Sequence, residues 1–398
     1  MKERIRDFRP LLLNLVERVK ASSISEKNKK NILEFKDQLL LDGFSFGRTV
    51  KYVYYLSKLA STLGKDFDSA TIQDLKSLVS GIDQSEYCES TKKEIKIYLK
   101  KLYKWMQNSD EYPDIVRWIK PQSRRIEKMK LPEDMLSEND IQKLIDYTSK
   151  PRDKAFISAL YESGCRIGEL LFLRIKNLKI DRYGSILLLP PMKTGARRVR
   201  IISSTPYLTN WINLHPLRND PNAYIWLGKS GKVLSYGWVR KTLSILGQKA
   251  GIKKKLNPHN FRHSRATHLA NHLTEAQMKE YFGWTQGSDM AAIYVHLSGR
   301  DVDNAILKLY GMQNDKNKEE CNLKPKTCQR CDEQNPSGNK FCAKCGNPLD
   351  KKTILEIIEN DLERKQADSI LDEMLKIPEY RGIFAEMINK VISGKASI

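Results

Sequence analysis

Residues 258–264 read Pro258-His259-Asn260-Phe261-Arg262-His263-Ser264; further along come Phe282-Gly283-Trp284 and then Ala292-Ile293-Tyr294-Val295-His296-Leu297-Ser298. From Tyr236 onward the pattern is helical, with Pro258 suited to a helix start. Upstream, Ser185 to Leu189 is rich in β-formers, Lys193-Thr194-Gly195-Ala196 supplies a turn, and Arg198, Val199, Arg200 and Ile201 alternate. Helical patterns return over 138–148 and 152–163, the second interrupted by Gly164. The stretch 132–312 therefore reads as one domain, mainly α with a small antiparallel β-sheet.

This domain carries six residues whose chemistry fits together. Arg166 lies in Glu162-Ser163-Gly164-Cys165-Arg166-Ile167-Gly168-Glu169-Leu170, and Lys193 sits at the hairpin turn. His259 and Arg262 follow, then Trp284, then Tyr294. Breaking a DNA strand without metal or ATP needs a hydroxyl nucleophile, and cations bracing the phosphate oxygens as charge builds. It also needs an acid for the departing 5′ oxygen and a base for the nucleophile. A tyrosine, with a phenolic pKa of about 10, both enters and leaves well. Singly, each residue has a blander reading as a packing tyrosine, a surface ion pair, a turn lysine or a helix-start histidine. The ordered set of six argues for the chemistry.

The order Arg, Lys, His-x-x-Arg, His or Trp, then Tyr resembles the tyrosine recombinases, the lambda-integrase-like or phage integrase family. The resemblance covers about 20–312, because 25–107 also looks like that family's helical core-binding domain. It implies that Tyr294 forms a 3′-phosphotyrosine bond with DNA, while Arg166 and Arg262 clamp the scissile phosphate. Lys193 becomes the general acid and Glu169 orients Arg166. His259 hydrogen-bonds the phosphate and assists proton transfer from Tyr294. Trp284, where the family often has His, supports the site by its indole N–H and by packing. His263 reads as a support behind the site, and His268 and His272 as structural. The resemblance also implies a clamp around double-stranded DNA and a synaptic homo-tetramer, and it allows a directionality factor. No cofactor is required for the chemistry.

Composition agrees with a polyanionic partner. Lys and Arg number 69 against 48 acids, a net charge of +21. No apolar run approaches the roughly 20 residues of a spanning helix, and the start, MKERIRDFRPLLLNLVERVK, lacks a leader's cleavage pattern. A cytoplasmic protein without membrane association is the expectation.

Four of the seven cysteines form two C-x-x-C knuckles, Cys328/Cys331 and Cys342/Cys345, separated by ten residues. That spacing resembles a zinc ribbon holding one structural Zn²⁺, since four protein ligands leave no open position. Cys88, Cys165 and Cys321 read as structural.

The remaining organisation follows from breaks in pattern. Residues 1–24 read as an N-terminal helix, 25–110 as the helical core-binding domain and 111–131 as a basic linker. The catalytic domain takes 132–312, a linker with the zinc module 313–350, and a helical tail 351–398. Lys93, Lys96, Lys100 and Lys104 form a stripe that we read toward phosphate contacts. The tail holds 8 basic against 9 acidic residues, so it reads as a protein-contact element, suited to docking on a neighbouring protomer. Two other readings stand beside the recombinase: a non-catalytic zinc-ribbon DNA-binding regulator, and a type IB topoisomerase-like enzyme.

Overall fold

The computed structural model describes residues 7–121, 134–191, 195–228, 231–297, 310 and 323–392. The chain divides into two units, Met1–Leu131 and Pro132–Ile398.

The first unit is all helix: α1 (Arg9–Lys20), α2 (Glu26–Leu41), α3 (Phe46–Leu63), α4 (Ile72–Gln84), α5 (Glu89–Met106) and the short α6 (Asp114–Arg117). Ser25, Ser45 and Thr71 open three of them by accepting a backbone N–H, and Asp74 returns the favour to Thr71 in a capping box. Each such cap stabilises by about 1 kcal/mol. The apolar stripes converge on one core containing Leu15, Ile32, Phe35, Leu56, Leu75, Leu99 and Leu102.

Three expectations change here. The N-terminal helix is not separate, because Leu12, Leu15 and Val19 of α1 are buried in this same core. Part of the stretch read as linker is also folded, with Val116 and Ile119 buried. The lysine stripe is largely used inside the unit rather than held out for phosphates. Lys96 pairs with Asp83 at 2.6 Å, and buried Lys100 donates to the Ile119 carbonyl at 2.9 Å while lying 4.3 Å from the Tyr112 ring centre. Lys104 donates to the Asp110 carbonyl at 2.5 Å. A helical wheel shows where a lysine points, but not whether a folded-back segment covers it.

The second unit begins with α7 (Glu138–Asp146), whose Ser137/Asp140 capping box matches the start read from sequence. α8 (Pro151–Ser163) is buried nearly all round, from Ala155 to Ser163. It ends at Gly164, and α9 (Ile167–Leu171) follows. Three antiparallel strands come next: β1 (Leu178–Asp181), β2 (Gly184–Leu189) and β3 (Arg197–Ile201), with Leu187 opposite both Leu178 and Val199. The strand β1 was not anticipated, since Leu178-Lys179-Ile180-Asp181 is only four residues long and mostly exposed. Then come α10 (Thr205–Asn213), α11 (Tyr236–Lys249), α12 (Pro258–Ala270), α13 (Glu275–Phe282) and α14 (Met290–Leu297). Buried Glu162 on α8 fixes the β3–α10 junction, accepting N–H bonds from Ile202, Ser203 and Ser204 at 2.6, 3.0 and 2.7 Å.

The cysteine module follows, with a two-stranded ribbon β4 (Lys326–Thr327) and β5 (Gln334–Asn335). Ser337 Oγ donates to Gln142 Oε1 of α7 at 3.2 Å, so the ribbon rests on the catalytic domain. Two helices end the described chain, Lys351–Lys376 and Pro378–Ile392, with Ile354, Ile358, Leu362, Ile383 and Met387 exposed.

Candidate active site

Two left-handed glycines place the arginines. α8 stops because Gly164 takes φ +52°, where a Cβ would meet Phe282 Cε1 at 2.5 Å. α13 stops at Gly283 with φ +61°. The carbonyls exposed at these ends become guanidinium acceptors. Arg262 Nη1 donates to Gly164 O at 2.9 Å and Nη2 to Phe282 O at 2.7 Å, while Arg166 Nη2 donates to Gly283 O at 3.3 Å. Replacing Gly164 by alanine is expected to cost the domain at least about 1–2 kcal/mol from the backbone alone, with the clash added. Thermal unfolding of the full chain measures it, and an unchanged midpoint would contradict this packing.

Arg262 is buried, and its guanidinium carbon lies 5.1 Å from the Phe282 ring centre and 5.7 Å from that of Trp284. Burial, with repulsion from Arg166 and Arg197, pulls its pKa down to about 10, so it stays charged at neutral pH. An arginine kept this close to two other cations is a site built for an anion. Arg166, at the N-cap of α9, places its backbone N–H 2.7 Å and its Nη1 3.0 Å from the Glu169 carboxylate. The expected Arg166–Glu169 contact is therefore present.

Tyr294 is only 5% exposed. Its ring stacks on Trp284 at 5.5 Å between centroids with planes 2° apart, and Trp284 stacks on Phe282 at 4.9 Å. Burial pushes the Tyr294 hydroxyl up to about 12, partly countered by the charge of Arg262. The phenol is thus protonated at neutral pH, and a base must take its proton. The hydroxyl is hydrogen-bonded to Nδ1 of His263. His259, one helical turn earlier on α12, is exposed, its ring 4.9 Å from that of His263. The geometry gives His263 the contact with the nucleophile that sequence reading assigned to His259. The i, i+4 spacing of the two histidines on one helix face was the available signal.

Arg197 is a residue that the sequence motifs did not single out. Its Nη1 and Nη2 lie 2.9 and 2.7 Å from the two Glu169 oxygens, and its Nε lies 3.1 Å from Tyr281 O. Arg197 stands two residues before Val199 and four before Ile201, on the side of β3 that those buried residues share. Burial alone raises the Glu169 carboxyl, but Arg197 and then Arg166 outweigh it and hold it below the usual carboxylate range. The structure brings Arg166, Arg262, Trp284, Tyr294 and Glu169 into one site. Lys193 lies outside the described residues. His268 faces Glu138 at 3.8 Å and sits 5.5 Å from the His272 ring.

The four cysteines form a separate centre. Their Sγ atoms all lie within 4.8 Å of one another, with Cys328–Cys345 and Cys331–Cys342 at 3.6 Å. A tetrahedron with Zn–S of about 2.3 Å has S···S edges of about 3.8 Å, so the set fits that ion. Arg330 N and Asn335 Nδ2 donate to Cys328 and Cys342 Sγ at 3.4 and 3.5 Å, the bonds a thiolate needs. Cys165 is buried, and Cys321 lies outside the described residues.

Residues 134–300 match the phage integrase family. This stretch, which holds Arg166, Arg262, Trp284 and Tyr294, is that of a tyrosine recombinase catalytic domain. The chain is 25% identical over 289 residues to the tyrosine recombinase XerA of Pyrococcus furiosus, covering 71% of this chain and 94% of that protein. Over 167 residues it is 29% identical to the tyrosine recombinase XerC of Salmonella typhi, covering 40% of this chain and 54% of that protein. Among solved structures, XerH bound to its palindromic difH substrate in a post-cleavage complex superposes with a TM-score of 0.54 at 19% identity, over 78% of this chain and 98% of that one. A lambda integrase dimer bound to a COC′ core site gives 0.53 at 15% identity, over 68% and 78%. These likenesses carry the fold, mainly α with a small antiparallel sheet.

Proposed function

We propose that this enzyme is a site-specific DNA recombinase acting on double-stranded DNA through Tyr294. The observation that carries the reading is the Tyr294 hydroxyl held on a histidine, with the charge of Arg262 offsetting part of the upward push of burial. The phenolic oxygen attacks a backbone phosphorus and its proton passes to His263 Nδ1. The bond from phosphorus to the 5′ oxygen breaks, leaving a 3′-phosphotyrosine that a second 5′ hydroxyl reverses. Arg166 and Arg262 brace the phosphate oxygens, and His259 hydrogen-bonds one of them from the site's exposed side. Lys193 supplies the 5′ oxygen with its proton, a role carried over from the family's motif. Trp284 fixes the plane of the tyrosine.

Around this core, Cys328, Cys331, Cys342 and Cys345 hold one structural Zn²⁺. The synaptic assembly is a homo-tetramer on paired sites, with the exposed apolar tail available for protein contacts. The enzyme works in the cytoplasm and needs no catalytic cofactor; a directionality factor would act on the assembled complex. Among the described residues no helix is long and apolar enough to cross a membrane.

Joining of strands between two duplexes that share a site, and not between unrelated duplexes, tests the reading. Relaxation of supercoils without sequence preference would instead favour the topoisomerase reading.

His263→Ala should slow strand cleavage by roughly 10²–10⁴-fold, the usual contribution of a positioned base. Because Tyr294 titrates near 12, the phenolate fraction grows about tenfold per pH unit below that value. The variant's rate should therefore climb more steeply with pH than the wild type's, closing the gap at alkaline pH. A parallel offset at all pH values would remove His263 from proton transfer. Elemental analysis should find about one zinc per chain. Gentle chelation should open the ribbon while leaving Tyr294 competent to cleave. Immediate loss of cleavage in a still-folded catalytic domain would contradict a purely structural role.

A further inference from the structure

We propose that Tyr281 is a positioning residue for strand cleavage: its hydroxyl, with Arg265 beside it, fixes the gap between α8 and α13 that Arg262 bridges. The inference rests on the recombinase reading and adds a residue outside the ordered set of six.

α13 is only eight residues long, and of these it buries Met278 and Phe282. Its C-terminal end nevertheless organises the site. Three successive carbonyls there each accept from a different arginine: Tyr281 O from Arg197 Nε at 3.1 Å, Phe282 O from Arg262 Nη2 at 2.7 Å, and Gly283 O from Arg166 Nη2 at 3.3 Å. A helix C-terminus leaves its last carbonyls unpaired and carries partial negative charge, so it suits cations. Trp284, the ring on which Tyr294 stacks, follows at once. The place where α13 ends therefore decides where Arg262 and the tyrosine ring stand.

Two links tie this end to the end of α8. One is Arg262 itself, with Nη1 on Gly164 O and Nη2 on Phe282 O. The other is Tyr281, whose hydroxyl donates to Glu162 O at 2.8 Å. Tyr281 comes one residue before Phe282 and Glu162 two before Gly164, so the second link runs beside the first. Arg265 Nε donates to the same Glu162 carbonyl at 3.0 Å, and an added Cβ on Gly164 would meet Arg265 Cβ at 3.4 Å. The Glu162 carboxylate is held by the backbone N–H groups of Ile202, Ser203 and Ser204, which anchors the acceptor residue. Burial raises the Tyr281 hydroxyl above its usual range, so it stays protonated and serves as a donor, not as a proton carrier. A guanidinium that alone held two helix ends together would follow every change in their spacing and carry it to the phosphate. With the gap set by Tyr281, Arg262 is held ready, which is what stabilising charge in a transition state requires. The effect of Tyr281 on the phosphate passes through Arg262.

The test is single-turnover formation of the covalent adduct by the full chain on a nicked suicide duplex, over a range of DNA concentrations. Tyr281→Phe deletes the hydroxyl and keeps the ring against Phe282, 5.1 Å between centroids. Its rate at saturating DNA should fall about tenfold, the worth of one ordinary hydrogen bond. The DNA concentration giving half the maximal rate should stay within about twofold of the wild type's. Arg265→Met takes away the other donor to Glu162 O and should show the same pattern with a smaller loss. The decisive comparison repeats Tyr281→Phe in an Arg262→Lys chain. A lysine cannot bridge Gly164 O and Phe282 O, so the gap no longer matters to it, and the further loss should be less than about twofold. A residue that only supports the fold lowers the rate by the same factor in both chains. Rates are compared at a temperature where thermal unfolding curves show every variant folded, which keeps unfolding apart from mispositioning. A wild-type rate in Tyr281→Phe, an equal loss in both chains, or a loss seen only as weaker DNA binding would overturn the proposal. Adduct formation by the unaltered chain reports on the recombinase reading separately.

Discussion

Tyr294→Phe is expected to remove covalent attachment to DNA completely while leaving DNA binding within a fewfold of the wild type. Loss of one oxygen deletes the nucleophile, the hydroxyl held on His263. The fold should survive, because the ring itself carries the packing. It stacks on Trp284 and is only 5% exposed, and phenylalanine keeps both features. Removing a hydroxyl whose pKa burial has pushed up to about 12 should leave stability unchanged or slightly raised. An adduct that persisted in this variant would move the chemistry to another residue.

Arg262→Ala should have the next largest effect, a fall in cleavage rate of roughly 10²–10³-fold or more, the range seen when one preorganised charge-stabilising donor is lost. This arginine is buried and spans the ends of α8 and α13 through the Gly164 and Phe282 carbonyls. Alanine would therefore also leave two carbonyls without their donor, at about 1–3 kcal/mol each. Arg262→Lys separates the two effects. A lysine retains the charge but reaches one carbonyl, so stability should recover more than rate, since bracing a phosphate needs the planar fork. Equal recovery of rate and stability would mean that Arg262 serves the fold and not the phosphate.

What the sequence made legible was local chemistry in a fixed order. Arg166, Glu169, Arg262, Trp284 and Tyr294 lie in motifs whose residues are near neighbours along the chain, and the structure brings them together. The Ser137 capping box and the β2–β3 pairing were readable for the same reason, as their signals sit within a few residues. Arg197 was harder, because its partner Glu169 is 28 residues away on another element. Only the alternation of β3 hinted that it faces inward. His263 was given a supporting place because a motif specifies residue types, while the angle of α12 against α14 decides which histidine meets the tyrosine. The lysines of α5 were misread for a related reason. Their stripe is real, but Tyr112, Asp110 and the carbonyls near Ile119 fold back over it, a tertiary event that no helical period contains. The unit boundaries moved too, since Leu15 and Ile119 fill the first core from segments that look like a free helix and a linker.

Trapping the adduct on a nicked suicide duplex, and identifying the peptide by mass spectrometry after proteolysis, shows which side chain becomes joined to a DNA phosphate. The expected product is a phosphodiester on the peptide containing Tyr294, with the nucleotide linked through its 3′ phosphate. A 5′ linkage, or attachment to any other side chain, would contradict it.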